Sequence, residues 1–186
     1  MNKTSAVGAV IAATEHEPVI FTTGYSCRIA RGIADRPSHF YMTGSMGLAS
    51  SIGIGVARET GRTTVVVDGD GALLMNPVGL VTAGALSDLP LVHVLLDDGR
   101  YASTGGQLVP STRTDLCGWA KASGYARVRS TSDLAEFAVI VQEEIASCVA
   151  PVFVHGVVAE ADPPVAARID AALDEHALRF RAHLAA

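Results

Sequence analysis

Thr64-Val65-Val66-Val67-Asp68-Gly69-Asp70-Gly71 and, further on, Leu91-Val92-His93-Val94-Leu95-Leu96-Asp97-Asp98-Gly99 decide the fold. Both are short apolar runs without polar alternation, the pattern of strands buried on both faces. Each ends in acidic residues and glycine, as expected where the chain leaves the carboxyl edge of a sheet. Working outward, VIFTT (19–23), HFYM (39–42), YARVR (125–129) and VFVHGVV (152–158) read the same way. Helical patterns fall between them, near 27–34, 47–59, 76–87, 115–123, 132–148 and 165–184. Ser132 followed by Glu136 resembles a helix start, one residue off the capping-box spacing. Strand–helix alternation specifies an α/β fold: a doubly wound, mainly parallel sheet with helices on both faces. Residues 163–186 are expected to form a C-terminal helix. Ile169, Leu173 and Phe180 would form its apolar stripe, against a sheet edge or another subunit.

The chain has 186 residues and a net charge of −5, with 49% apolar and 18% charged residues. This excludes a disordered chain, and nucleic acid is not expected as a partner because there is no basic excess. One domain over residues 1–186 would bury roughly 70% of the surface its unfolded chain exposes. A mean hydropathy of +0.32 fits a two-sided buried sheet or a large covered interface. No run reaches the roughly 20 apolar residues of a membrane span. Residues 6–13 (AVGAVIAA) resemble a leader only faintly, with one preceding lysine and Glu15 and Glu17 close behind. Cys27, Cys117 and Cys148 form no CxxC and cannot all pair. They read as free thiols in a cytoplasmic protein.

Gly69-Asp70-Gly71 offers a tight turn that a ligand can approach closely, with Asp70 at the strand's end. Asp98 follows the LVHVLLD strand. If the two strands are neighbours, the carboxylates converge. Two hard oxygens with a backbone carbonyl suit Mg²⁺, which also takes phosphate oxygens. Asp-Gly is also a common turn, and each aspartate could simply cap a helix.

The spacing of these residues is more specific. GDG, then 25 residues (72–96), then Asp97-Asp98 resembles the fingerprint of thiamine-diphosphate enzymes. Further words follow in order: Thr22-Thr23-Gly24-Tyr25, Asp35-Arg36-Pro37, Thr43-Gly44-Ser45-Met46-Gly47, Ala72-Leu73-Leu74-Met75-Asn76 and Tyr101-Ala102-Ser103-Thr104-Gly105-Gly106-Gln107. From about residue 15 to 160 the chain resembles the diphosphate-binding half of the phosphonopyruvate and sulfopyruvate decarboxylases.

The resemblance implies thiamine diphosphate and Mg²⁺ as cofactors. Asp70, Asp98 and the Arg100 carbonyl would hold the metal. Gly69, Gly71 and Ala72 would offer N–H groups to the diphosphate, with Thr23, Gly24 and Tyr25 opposite. Ser45, Tyr101 and Ala102 would line the cofactor. The Gly44 carbonyl would receive the aminopyrimidine's amino group, and Met46 would wedge between the two rings. Two positions depart from the family's pattern. Asp98 stands where asparagine is usual and adds a negative charge, while Ala72 replaces a common serine and loses one hydroxyl contact.

The family's activating glutamate lies in a separate pyrimidine-binding domain, and Glu15 and Glu17 do not match its motif. The resemblance therefore implies a companion pyrimidine-domain chain that completes the site in a hetero-oligomer. The expected reaction is decarboxylation of a 3-substituted pyruvate: phosphonopyruvate to phosphonoacetaldehyde, alternatively sulfopyruvate to sulfoacetaldehyde. Thr104, Gly105 and Gly106 are candidates for a backbone nest around the substrate's anionic head, and Arg100 and Arg113 could attract it. The alternative from another class is a non-catalytic subunit of the same fold, which the Asp98 and Ala72 departures motivate. A dinucleotide site is disfavoured because Gly53-Ile54-Gly55 lacks its strand–GxGxxG–helix context. No GxSxG elbow or zinc-ligand spacing is present, and His93 and His155 read as residues of buried strands.

Overall fold

A computed structural model describes residues 1–186. The elements in chain order are α1 (Lys3–Ala13), β1 (Val19–Phe21), α2 (Tyr25–Ile33), β2 (His39–Tyr41), α3 (Ala49–Thr60), β3 (Thr64–Gly69), α4 (Asp70–Met75), α5 (Val78–Gly84) and β4 (Leu91–Asp97). Then come β5 (Arg100–Tyr101), β6 (Gln107–Leu108), α6 (Leu116–Ser123), β7 (Arg127–Thr131), α7 (Leu134–Ala146), β8 (Val152–Val157) and α8 (Leu173–Leu184). Six strands form one parallel sheet in the order β2-β1-β3-β4-β8-β7. The chain runs from β1 outward to β2, then returns to the other side of β1 with β3. That reversal opens a crevice at the carboxyl ends of β1 and β3, where ligands of such sheets bind.

Alternate strand residues enter two cores, because successive side chains leave a strand on opposite faces. Phe21, Val65, Val67, Val94 and Val154 pack with α1, α2 and α7. Ile20, Val66, Leu91, Leu95 and Phe153 pack with α3, α5 and α6. This explains why the strands read as unbroken apolar runs.

Several boundaries differ from the sequence reading. The leader-like stretch lies inside α1, which buries Ala6, Val7, Val10 and Ile11. Tyr125 precedes its strand: it follows the left-handed cap at Gly124, and its hydroxyl reaches His93 Nδ1 at 3.1 Å. α7 is capped by Asp133, which accepts the Glu136 N–H at 2.8 Å and so restores the ordinary three-residue spacing. The C-terminal helix spans only Leu173–Leu184, because residues 158–172 cross the sheet's carboxyl edge as an irregular strap. α8 then closes the β2 edge, with Phe180 buried beside Phe40 and His176 Nε2 accepting the Tyr41 N–H at 2.9 Å. No helix is long and apolar enough to cross a membrane, and all three cysteines are free.

Gly53 and Gly84 stand where the closest approaches in the fold leave no room for a side chain. A Cβ on Gly53 would stand 2.1 Å from Val66 Cγ2, so the Gly53-Ile54-Gly55 word serves packing of α3 on β3. A Cβ on Gly84 would stand 1.8 Å from the Ser123 carbonyl oxygen, where α5 and α6 end backbone to backbone. Backbone yields less than a side chain, so Gly84→Ala should cost about 3 kcal/mol, at the upper end of overpacking losses. Denaturant unfolding checks this: a midpoint within error of the parent would show that the two helix ends do not meet this closely.

Candidate thiamine-diphosphate site

The crevice at the strand reversal is a cavity of about 280 Å³. Four segments supply most of its wall. Thr22 to Ser26 leave β1 and enter α2, and Gly44, Ser45 and Met46 follow β2. Gly69 to Ala72 turn from β3 into α4, and Arg100 to Thr104 belong to the β5–β6 hairpin. Thr23, Gly24, Tyr25, Gly44, Ser45, Met46, Gly69, Asp70, Gly71, Ala72, Arg100, Tyr101 and Ala102 are thus brought together as the sequence predicts.

Local geometry explains these residue types. Gly24 has φ +101°, which only glycine adopts freely, and a Cβ there would press on Ser103 Oγ at 3.0 Å. A Cβ on Gly71 would sit 2.2 Å from the Tyr101 ring, so glycine lets the ring close over the GDG turn. Ser45 is the one non-glycine residue with positive φ, at 57°. That left-handed turn costs about 1 kcal/mol, and it lies between the two predicted contact residues Gly44 and Met46.

The acidic side chains are more buried than the sequence suggests. Asp70, directly after β3, is only 3% exposed. Its Oδ2 accepts the Gly99 N–H at 3.0 Å and lies 3.1 Å from Ser111 Oγ. The same hydroxyl lies 2.9 Å from Asp97 Oδ1. Burial pushes the Asp70 carboxyl up to about 7, and the charges of Asp97 and Asp98 add to the rise. Asp97 goes the other way: against the cost of burial, hydrogen bonds from His155, Ser111 and Asp70 hold its carboxyl below the usual range. His155 Nε2 lies 3.1 Å from Asp97 Oδ2, and its Nδ1 lies 3.2 Å from Ser130 Oγ. His155 is therefore linked to the site and is more than a strand residue. His93 is a core residue, enclosed beside Tyr125 and Phe153.

Other placements correct the sequence reading. Asp98 does not line the cavity: its Oδ2 is 2.6 Å from Lys3 Nζ, in a pair whose side chains are 15% and 9% exposed. Lys3 itself lines the cavity. The sequence carries no signal for it, because α1 is far from β4 along the chain. Gly105 and Gly106 form the hairpin tip outside the cavity, and the Gly106 N–H is already given to Tyr101 O at 3.0 Å. The expected backbone nest is not formed, and of those three residues only Thr104 reaches the cavity. The Arg100 guanidinium turns back to Gly106 O at 3.2 Å, and Arg113 is exposed away from the crevice. Glu15 and Glu17 lie at the amino end of β1, opposite the cavity.

The residues present fit a metal diphosphate. Asp97 and Asp98 crowd Asp70, three carboxylates with Lys3 as their one ammonium partner, a donor set that suits a hard divalent ion. Thr22 Oγ1 is buried in the cavity wall without a hydrogen-bond partner, although buried hydroxyls are ordinarily bonded. The glycine turns leave room for a ligand to meet backbone N–H groups: a Cβ at Gly44 or Gly69 would touch nothing within 4 Å.

Comparison with known proteins agrees with this geometry. The family described as thiamine pyrophosphate enzyme, C-terminal TPP binding domain, matches residues 22–155. The sulfopyruvate decarboxylase β subunit of Methanothermobacter thermautotrophicus is 41% identical over 182 residues, covering 97% of this chain and 94% of that one. The phosphonopyruvate decarboxylase of Streptomyces viridochromogenes is 47% identical over 116 residues, covering 62% of this chain but only 29% of that one. The crystal structure of benzoylformate decarboxylase from Polynucleobacter necessarius superposes with a TM-score of 0.69 at 15% identity, covering 87% of this chain and 34% of that one. The chain belongs to the thiamine pyrophosphate enzyme family by its C-terminal TPP-binding domain and, within it, to the thiamine-diphosphate-dependent sulfopyruvate and phosphonopyruvate decarboxylases.

Proposed function

We propose that this chain is the diphosphate- and metal-holding half of a split decarboxylase acting on 2-keto acids with an anionic head at C3. The convergence of residues 22–26, 44–46, 69–72 and 100–104 on one cavity carries the reading. Asp70, Asp98 and the Arg100 carbonyl would hold Mg²⁺, and Asp98 would exchange Lys3 for the ion. Backbone N–H groups of Gly69, Gly71 and Ala72 would bind the diphosphate, faced by Thr22, Thr23, Gly24 and Tyr25. Ser45, Tyr101 and Ala102 would wall the cofactor. The Gly44 carbonyl would accept a hydrogen bond from the aminopyrimidine's amino group, and Met46 would wedge between the two rings. When bound, thiamine diphosphate supplies the electron sink for loss of carbon dioxide. The activating carboxylate would come from a companion pyrimidine-domain chain, since no glutamate of this chain lines the cavity. Three free thiols fit a reducing cytoplasm.

The end-to-end match with a separately named β subunit favours sulfopyruvate as substrate. The 47% identity over 116 residues favours phosphonopyruvate as the second reading. Calorimetric titration of thiamine diphosphate with Mg²⁺, on the chain alone and with its companion, tests the proposal. Weak binding alone, tight binding by the pair and carbon dioxide release from either acid are expected. Tight binding by the pair without turnover of either acid would leave a non-catalytic cofactor-binding subunit instead.

A further inference from the structure

A second cavity, also of about 280 Å³, opens beside the first. The two share Thr23, Gly24, Ser103 and Thr104 as their common wall. On the far side stand two guanidinium groups, Arg28 from α2 and Arg168 from the strap, and no acidic side chain lines the space. Thr23, Thr43 and Ser103 add hydroxyl donors. We propose that this cavity is the subsite for the tetrahedral anionic head of the substrate, with Arg168 as its principal specificity residue. The inference rests on the decarboxylase reading above and adds the residues that select the head.

The placement follows from how the strap is fixed. Arg28 Nε donates to Ala166 O at 2.7 Å, and Nη2 reaches the same carbonyl. The guanidinium also stacks over the Tyr25 ring, 5.0 Å from its centroid, and Tyr25 lines the cofactor cavity. One arginine thus ties the strap to the cofactor's wall. Two residues on, Arg168 lines the second cavity without that duty. The nearest carboxylate in sequence, Asp170, lies 3.8 Å from Arg31 Nη1. A phosphonate or sulfonate offers three oxygens to such planar donors, which bind oxyanions more strongly than neutral groups do. An unsubstituted methyl at C3 gains nothing there. Thr104 contributes shape more than a donor, because its hydroxyl is given to Tyr101 O at 3.3 Å. The two guanidinium groups therefore come from the strap and α2, on the other side of the shared wall from the hairpin tip at Gly105 and Gly106.

All these groups belong to this chain, so the full chain alone should bind the head. Phosphonoacetate and sulfoacetate carry the two heads without a keto group, and acetate carries neither. Binding is read by ³¹P and ¹H line broadening on the parent and on Arg168→Gln. Both head-bearing acids should bind the parent, with acetate at least tenfold weaker. Arg168→Gln should lose roughly 10- to 100-fold, as for one charge-assisted bond, with an unchanged thermal midpoint because Arg168 is exposed. Tighter phosphonoacetate would mark a dianion site, and tighter sulfoacetate a monoanion site. Equal binding of acetate, no binding by the parent, or an unchanged Arg168→Gln would each overturn the subsite. This assay involves no turnover, so a chain that binds the heads but never yields carbon dioxide with its companion sinks only the decarboxylase reading.

Discussion

Asp70→Asn should abolish cofactor-dependent turnover and, at the same time, make the cofactor-free chain more stable above neutral pH. The first effect follows from the metal role. Loss of an outer-shell partner costs 10- to 100-fold in metal affinity, so loss of a carboxylate ligand should cost at least about 100-fold. The second effect follows from linkage. The Asp70 carboxyl is pushed up to about 7, first by burial and then by Asp97 and Asp98. The native chain therefore holds a proton that the unfolded chain has already released. Its stability is fully present below about pH 4 and declines as pH rises through about 7. The amide removes that decline. The two donors to Asp70 are not orphaned, because the Gly99 N–H and Ser111 Oγ also lie 3.2 and 2.9 Å from Asp97 Oδ1. A net gain of about 2 kcal/mol at pH 8, vanishing near pH 4, is expected after the lost bonds are counted. Urea unfolding at both pH values checks the stability and Mn²⁺ titration checks the metal. A variant that keeps parental Mn²⁺ affinity would remove Asp70 from the metal site.

Lys3→Met should shift two affinities in opposite directions. The ammonium of Lys3 is 2.6 Å from Asp98 Oδ2, so it competes with any cation that uses that carboxylate. It also cancels the charge of the Asp98 carboxylate. A unit charge a few ångströms away is worth several kcal/mol at an effective dielectric near 20, so tenfold effects are a conservative expectation. Mn²⁺ alone should bind Lys3→Met about tenfold more tightly. At saturating metal, thiamine diphosphate should bind it about tenfold more weakly, because the loaded site then carries one positive charge fewer to offset the diphosphate. Adding Asp98→Asn to Lys3→Met should restore the diphosphate affinity, whereas Asp98→Asn alone should leave a buried ammonium beside the ion and lose metal affinity. If Lys3 only anchors α1, both affinities will stay level and only the melting temperature will fall.

The fold class and most of the cavity wall were legible because they rest on local patterns. Unbroken runs such as Thr64–Gly69 and Leu91–Asp97 are what a doubly covered strand requires, and they pair as neighbours, residue 64 with residue 91. Glycine words such as Gly69-Asp70-Gly71 mark turns at strand ends whatever surrounds them. Where the residues lay outside such patterns, reading was poorer. Residues 165–172 of the strap are alanine-rich and read as the start of a helix, yet their place is set by Arg28 binding Ala166 O.

The sequence alone determined that the chain builds a parallel sheet with a phosphate- and cation-suited edge, because hydrophobic period and turn chemistry are local. Only the tertiary structure decided which charges meet there. The Lys3–Asp98 pair spans 95 residues, the shared Ser111 hydroxyl spans 41 to Asp70, and His155 reaches Asp97 across 58. Such contacts depend on strand order and helix placement, and no spacing in the chain encodes them. Burial also depends on those contacts, so the protonation of Asp70 and the partner of Asp98 belong to the folded molecule alone.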